Sequence, residues 1–173
     1  MPSIKTSALV WVWLTALVFV VDIATKQVAE AWLIYGDPIY LLPVLDFTLL
    51  YNKGAAFSLL ADQPGWQRWF FTLISVAVSV MLMVWMSRLP RHQRWLGIAL
   101  ALILGGALGN LFDRVLFGHV IDFISVHWQN AYFPAFNIAD SAITIGAIMM
   151  AIDVIRDSIN SNKSAAVAKT HGD

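Results

Sequence analysis

Residues 105–114 read Gly-Gly-Ala-Leu-Gly-Asn-Leu-Phe-Asp-Arg, residues 120–124 read Val-Ile-Asp-Phe-Ile, and residues 133–141 read Phe-Pro-Ala-Phe-Asn-Ile-Ala-Asp-Ser. This stretch lies between two long apolar runs, and it carries six polar side chains in a chain that is otherwise poor in charge. Polar groups inside apolar segments are costly to bury, so their presence indicates a functional site. They are Asn110, Asp113, Arg114, Asp122, Asn137 and Asp140.

The composition of the chain points to a membrane protein. Of its 173 residues, 59% are hydrophobic and 13% are charged, whereas a soluble domain usually carries about 25% charged residues. The formal net charge is zero, so no attraction to nucleic acid is expected. The chain has no cysteine, which excludes disulfides, thiolate metal sites and thiol nucleophiles. The length suits a single membrane-embedded domain, expected over residues 1–157.

Four apolar segments are long enough to cross a bilayer, since a helical span needs about 20 residues. The fold class expected is therefore an all-α membrane protein with four transmembrane helices. A cleaved signal peptide is the alternative for the first segment, but Asp22 interrupts it and no small-x-small cleavage site follows. A polar tail, residues 158–173, is expected to be disordered and cytoplasmic. The four predicted spans are residues 8–28, 67–86, 95–116 and 135–155.

The two longer connections differ in character. Residues 30–65 contain Gly-Asp-Pro at 36–38 and Asp-Gln-Pro-Gly at 62–65, both of which favour turns. Between these turns, residues 45–52 alternate imperfectly with a period of two, which predicts strands and a small sheet in this first outer loop. Residues 117–133 are predicted as a second outer loop.

The distribution of Lys and Arg predicts the orientation. Cationic residues concentrate near both ends of the chain and in the short loop 87–94, which holds Arg88, Arg91 and Arg94. The 30–65 loop has only Lys53, and the 117–133 loop has no Lys or Arg. The positive-inside rule therefore places both termini in the cytoplasm and the two long loops outside. The eight Trp fall near the ends of the spans, as expected for aromatic belts.

Three of the predicted helices carry polar residues at a similar depth. With a rise of 1.5 Å per residue, Asp22 lies about 21 Å from the inner face, Asp140 about 20 Å, and the group from Asn110 to Arg114 about 23–29 Å. Asp22 and Lys26 are four residues apart, as are Asn110 and Arg114, so each pair shares a helix face.

The charges in this layer do not balance. Four carboxylates (Asp22, Asp113, Asp122, Asp140) stand against two cations (Lys26, Arg114). Two nearby carboxylates that cannot both ionise tend to share a proton, and such a pair can activate water and protonate a leaving amine. Structural ion pairs and helix caps, including an Asp113–Arg114 pair, remain the alternative for each residue taken singly.

Other chemistries find no support in the residue types. The four His lie in loops or the tail without a His-x-x-x-His pair, so no metal is expected. The chain has no Gly-x-Ser-x-Gly elbow, no phosphate-binding loop and no dinucleotide fingerprint, so no cofactor is expected. The glycines at 105, 106 and 109 favour close helix packing.

At this point the sequence resembles the bacterial lipoprotein signal peptidases, the type II enzymes. Asp-Ile-Ala-Thr-Lys at 22–26, Asn-Lys-Gly-Ala-Ala-Phe-Ser at 52–58 and Gly-Asn-Leu-Phe-Asp-Arg at 109–114 are similar to three family motifs. Val-Ile-Asp-Phe-Ile at 120–124 and Phe-Asn-Ile-Ala-Asp at 136–140 are similar to the segments with the catalytic aspartates. Ile23 and Tyr132 are mild departures from residues frequent in the family.

The resemblance implies an intramembrane aspartic endopeptidase of the bacterial inner membrane. It would remove signal peptides from diacylglyceryl-modified prolipoproteins, cleaving just before the lipidated Cys near the outer face of the membrane. Its partners would be lipidated prolipoproteins and membrane lipids, and the enzyme is expected to be a monomer. Asp122 and Asp140 would be catalytic. Support for the substrate or the dyad would come from Asn52, Gly54, Asn110, Arg114, Asn137 and Ala139, with Asp22, Lys26 and Asp113 as structural polar residues.

Two other functional classes stay open on the sequence alone. A proton-coupled transporter or channel subunit would also use intramembrane carboxylates, but a relay should distribute them across the membrane. Here they lie in one layer, and the inner half of each span is apolar. A non-catalytic helical scaffold would leave the two surplus carboxylates without a role.

Overall fold

The computed structural model describes residues 7–54, 66–129 and 131–170, with side chains as far as residue 159. A 3₁₀ turn at Ala8–Trp11 leads directly into the first helix. The helices are α1 (Val12–Trp32), α2 (Trp66–Arg88), α3 (Arg94–Leu116) and α4 (Ile138–Thr170), and the strands are β1 (Ile39–Leu42), β2 (Leu45–Asn52), β3 (Val120–Trp128) and β4 (Ala131–Tyr132).

The prediction of four membrane-spanning helices is confirmed. Each of the four helices is long and apolar enough to cross a membrane, over Ala8–Trp32, Trp66–Arg88, Arg94–Leu116 and Ile138–Ile159. Their outward faces are rich in exposed apolar side chains, and soluble proteins rarely expose so much contiguous apolar surface to water. The molecule is thus a helical membrane protein with a small antiparallel sheet.

Helix α3 is the centre of the bundle and packs against the other three helices. Glycines permit this close approach. A Cβ on Gly105 would lie 2.7 Å from Val18 of α1, and a Cβ on Gly106 would collide with the Ala139 carbonyl of α4. The predicted packing role of these glycines is confirmed, and it brings the polar ends of α1, α3 and α4 together.

An apolar core fills the end of the bundle that holds the 87–94 loop. Its side chains come from the 3₁₀ turn, α2, the 87–94 loop and α3, and they are almost fully shielded. The hydroxyl of Thr15, which is also buried, donates a hydrogen bond to the Ala101 carbonyl at 3.1 Å. The buried members are Ala8, Leu82, Met86, Leu89, Leu100, Ala101 and Leu104.

The sheet has the order β1-β2-β3-β4, with antiparallel neighbours throughout. Strand β2 confirms the strand predicted over residues 45–52. The predicted second loop, 117–133, contains β3 and β4, which were not predicted and which complete the sheet. Val120, Ile121, Asp122 and Phe123 are all buried, so β3 lacks the alternation of buried and exposed residues that identifies a strand in a sequence.

Helix α4 starts and ends later than predicted. It begins at Ile138 rather than 135, because Phe136 is still paired with Ile124 of β3 in extended conformation. It continues to Thr170, which differs from the disordered tail expected over 158–173, and the alanines at 165, 166 and 168 favour this helical continuation. The predicted turn at 62–65 and residues 55–58 of the second motif lie outside the described residues.

Candidate active site

The polar side chains of the predicted layer meet where α1, α3, β3 and the start of α4 converge. Six of them are at most 5% exposed, although all are charged or carry amides. Burial of so many polar groups is tolerated only when each finds a partner. The six are Asp22, Lys26, Asn110, Asp113, Asp122 and Asn137.

Lys26 of α1 forms two ion pairs, one within α1 and one that links α1 to α3. Its Nζ lies 2.7 Å from Asp22 Oδ2 and 2.8 Å from Asp113 Oδ2. It also donates a hydrogen bond to Asn110 Oδ1 at 3.1 Å. Because Lys26 has only donors, it fixes the Asn110 amide with its oxygen toward α1 and its NH₂ group toward α4.

Amide groups hold both candidate catalytic carboxylates. Asn110 Nδ2 donates to Asp140 Oδ1 at 2.8 Å. Asn137 Nδ2 donates to Asp122 Oδ1 at 2.8 Å, and Asn52 Nδ2 donates to Asp122 Oδ2 at 3.0 Å. The two carboxyl groups are therefore oriented by neutral donors from α3, β2 and the residue preceding α4.

The start of α4 is capped from two directions. Asn137 Oδ1 accepts a hydrogen bond from the Asp140 amide at 2.9 Å, and Asp140 Oδ2 accepts one from the Asn137 amide at 3.3 Å. This reciprocal arrangement is a capping box. Asp22 Oδ1 of α1 accepts the amide of Ala139 at 2.8 Å, which satisfies a further free donor of the first turn. The caps explain why α4 begins at Ile138 and fix Asp140 at its first turn.

Asp113 ties strand β3 to α3. The Oδ2 atom that pairs with Lys26 also accepts a hydrogen bond from the Ile121 amide at 3.2 Å. Ile121 directly precedes Asp122, so this contact sets the height of the Asp122 side chain above the helices. The sequence suggested an Asp113–Arg114 pair as one alternative, but consecutive residues face different sides of a helix.

Asp122 differs electrostatically from an ordinary carboxyl group. Burial and, to a smaller extent, the neighbouring charge of Asp140 raise its pKa from 3.8 to about 7. Hydrogen bonds from Asn52 and Asn137 act in the opposite direction but do not cancel the effect of burial. Near neutral pH, a proton can therefore reside on this carboxyl group.

Arg114 lies at the edge of the cluster. Its guanidinium donates to the Asn110 carbonyl at 3.3 Å, lies 5.5 Å from the Phe71 ring and interacts electrostatically with Asp140 and Asp122. Sequence reasoning missed Arg68 of α2, which donates to the Arg114 and Val115 carbonyls at 2.8 and 2.7 Å. An Arg in the first turn of an apolar span was the available signal.

A cavity of about 300 Å³ leads to Asp122 from the side of the sheet. Its lining includes Tyr51 and two residues of the second motif, Asn52 and Lys53. Gly54 accepts no side chain, because its φ is +96° and a Cβ would collide with the Phe71 ring. Its amide donates to Asn52 Oδ1 at 2.9 Å, which turns the Asn52 NH₂ group toward Asp122.

With this geometry established, comparisons with known proteins identify the family. The family model described as Signal peptidase (SPase) II matches residues 14–156. The chain belongs to this signal peptidase II family. It is therefore a membrane-embedded aspartic peptidase, and the transporter and scaffold alternatives are set aside.

Similar proteins support the assignment over nearly the whole chain. A lipoprotein signal peptidase of Pseudomonas aeruginosa (strain UCBPP-PA14) is 55% identical over 175 residues, covering 99% of this chain and 100% of that protein. One from Pseudomonas fluorescens (strain Pf0-1) is 60% identical over 148 residues, covering 84% of this chain and 87% of that protein. A solved structure described as a bacterial membrane enzyme is 32% identical, with a TM-score of 0.77, and the match covers 87% of this chain and 90% of that one.

Proposed function

We propose that Asp122 and Asp140 are the catalytic pair of this peptidase, which removes signal peptides from prolipoproteins. One observation carries the assignment of the pair. Among the residues that the structure describes, Asp22 and Asp113 share the ammonium group of Lys26, whereas Asp122 and Asp140 form no ion pair. The hydrogen bonds to Asp122 and Asp140 come from amide groups, which leaves these carboxyl groups free to exchange protons, whereas Asp22 and Asp113 are occupied in ion pairs with Lys26.

The geometry supports a division of labour within the pair. Asp122, with its pKa raised to about 7, is the group that holds the shared proton near neutral pH. Asp140 accepts a proton from the attacking water while Asp122 donates its proton to the carbonyl oxygen of the scissile peptide. As the tetrahedral intermediate collapses, Asp140 passes its proton to the leaving amine, and Asp122 recovers a proton from a hydroxyl group of the intermediate. Asn110 and Asn137 keep the carboxyl groups in place, and the charge of Arg114 offsets negative charge that develops during the reaction.

The cleaved bond is the one just before the lipidated Cys of the prolipoprotein. The cavity next to Asp122 lies between the sheet and the segment 134–135 that precedes α4, which suits a scissile peptide held at a membrane surface. A diacylglyceryl group on the Cys would remain among the exposed apolar faces of the helices. The bilayer is the bacterial inner membrane, and the enzyme acts as a monomer.

A cleavage assay tests the function. Purified protein should process a diacylglyceryl-modified prolipoprotein and leave the same unmodified precursor intact. EDTA should not change the rate, because the described residues contain no group of three or more His, Asp or Glu side chains suited to a metal ion. Equal cleavage of both precursors would contradict the lipidated substrate, and inhibition by EDTA that zinc reverses would contradict a metal-free pair.

The proposed orientation places both termini and the 87–94 loop in the cytoplasm and the dyad near the outer face. Its support is the excess of Arg in that loop and the lack of Lys and Arg over 117–133. Cysteine introduced at Gln93, before α3, and at Gln129, after β3, should react with a membrane-impermeant reagent from opposite sides. Labelling of both from one side would refute the four-span orientation.

A further inference from the structure

A second cavity lies at the opposite end of the bundle from the dyad. It measures about 300 Å³ and is formed by the start of the chain and the loop before α3. Two cations and two indole rings line it, a combination that the peptidase reaction does not use. The lining residues are Val10, Trp11, Trp13, Arg91 and Arg94.

The two cations of this cavity have no carboxylate partner among the described residues. Within the ranges 7–54, 66–129 and 131–159, neither Arg91 nor Arg94 forms an ion pair, and both side chains are exposed. Arg156, the nearby cation of α4, lies instead over the Trp95 ring at 5.1 Å. Asp153 and Asp157 of α4 do not reach the cavity residues with a salt bridge. The cavity is therefore a site of uncompensated positive charge.

Two further groups favour an anion there. The Nε1–H of Trp11 is buried and has no hydrogen-bond partner among the described residues. The Trp11 ring is held in place against Gly97, where a Cβ would lie 2.8 Å from it. The start of α3 is not capped by the Gln93 side chain, so the positive end of its dipole also faces this region.

We propose that this cavity binds the phosphodiester headgroup of an anionic membrane phospholipid. Arg91 and Arg94 would pair with the phosphate oxygens, and the free Trp11 N–H would donate to one of them. Basic pockets at the cytoplasmic ends of transmembrane helices bind anionic headgroups in this way.

The position of the cavity favours a lipid over a soluble phosphate. The cavity lies at the start of two spans, Ala8–Trp32 and Arg94–Leu116, where headgroups meet the hydrocarbon region. Trp13, which is 57% exposed, and Val10 present apolar surface beside the two Arg side chains, where acyl chains would pass. A free anion would make no use of these apolar groups.

Lipid retention in native mass spectrometry tests the proposal. The full-length protein is purified in detergent with phosphatidylglycerol or phosphatidylcholine, and the bound lipid is counted. The wild type should retain phosphatidylglycerol in clear preference to phosphatidylcholine. Arg91→Gln and Arg94→Gln should each weaken this retention about fivefold, and Trp11→Phe, which removes only the N–H, should weaken it by a smaller factor.

Matched variants separate the site from general charge effects. Arg88→Gln removes one positive charge from the end of α2, which does not line the cavity, and should change retention less than twofold. Arg91→Lys and Arg94→Lys keep the charge and should restore most of the retention, so lost binding in a Gln variant is not mistaken for misfolding. Melting temperatures in phosphatidylcholine should stay unchanged for all of them.

Three outcomes would overturn the proposal. The first is equal retention of the two lipids by the wild type. The second is an equal loss in Arg88→Gln, which would show only diffuse surface attraction. The third is displacement of phosphatidylglycerol by millimolar inorganic phosphate, which would identify a site for soluble anions instead of a lipid.

Discussion

The two halves of the bundle differ in the kind of side chain that they bury between their helices. At the end near the 87–94 loop, helices meet through Leu82, Met86, Leu100 and Leu104. At the dyad end, the helices meet through ion pairs and amides centred on Lys26. One half is held by packing and the other by hydrogen bonds and charge.

Because of this difference, the apolar half should contribute mainly to stability, whereas the polar half should contribute to both stability and catalysis. Apolar packing is tolerant of small changes, since neighbouring side chains can partly adjust. A buried polar network is not tolerant, because removal of one member leaves its partners without hydrogen bonds. Substitutions in the two halves should therefore have distinct signatures, even where they cost the protein similar stability.

The largest effect is expected at the dyad itself. Asp122→Asn and Asp140→Asn should each lower the rate of prolipoprotein cleavage at least about 10³-fold, since each removes a group that must gain or lose a proton. The double variant should be no slower than either single variant, because the two residues act as one unit. Single-turnover cleavage of the lipidated precursor measures these rates.

The melting temperatures of these variants provide the control. Asp140→Asn also alters the cap of α4 through its Oδ2 atom, so it should be the less stable of the two. Substantial turnover by either folded single variant would contradict a mechanism that depends on both carboxyl groups.

A smaller effect should distinguish the two halves directly. Lys26→Ala leaves the carboxylates of Asp22 and Asp113 unpaired, which should cost about 3–5 kcal/mol. Leu104→Ala, at the apolar end, should cost about 2–5 kcal/mol through the cavity it creates. At temperatures where both variants are folded, only Lys26→Ala should also lower kcat, since it frees the Asn110 amide that orients Asp140.

Thermal unfolding and cleavage at a temperature where both variants remain folded make the comparison. Unchanged kcat in Lys26→Ala would reduce the role of Lys26 to stability alone. An equal loss of kcat in Leu104→Ala would show that the two halves are not independent.

The sequence predicted the bundle and the polar layer but not their connections. Asp22 and Lys26 share a helix face by their spacing of four residues, and they form an ion pair at 2.7 Å. Asp113, by contrast, pairs with Lys26 on another helix. That contact depends on how α1 packs against α3, which no local pattern encodes.

The sheet shows a second limit. Residues 45–52 of β2 alternate imperfectly between apolar and polar types, so the strand is visible in the sequence, whereas β3 is buried at four consecutive positions, Val120–Phe123, and shows no alternation there. The sequence therefore assigned the sheet to the first loop alone. The link from Ile121 through Asp113 to Lys26 appears only once β3 is placed against α3.

The smallest expected effect concerns pH and the stability of the dyad end. The pKa of Asp122 is raised from 3.8 to about 7 in the folded protein, so folding takes up a proton between these values. Stability from this residue is fully present below pH 4 and is lost as pH rises to about 7. Ionised Asp122 should therefore cost on the order of 2–4 kcal/mol at pH 8.

Asp122→Asn removes this cost but also one hydrogen bond. Asn52 and Asn137 both donate to Asp122, and an amide can accept only one of them through oxygen, a loss of about 1 kcal/mol. The variant should therefore melt below the wild type at pH 4 and above it at pH 8. Thermal unfolding across pH measures the crossing, with Asp37→Asn in an exposed turn as the control variant. Parallel curves for wild type and Asp122→Asn would show that folding does not raise the pKa of Asp122, and that burial of this carboxyl group does not make the polar half of the bundle sensitive to pH.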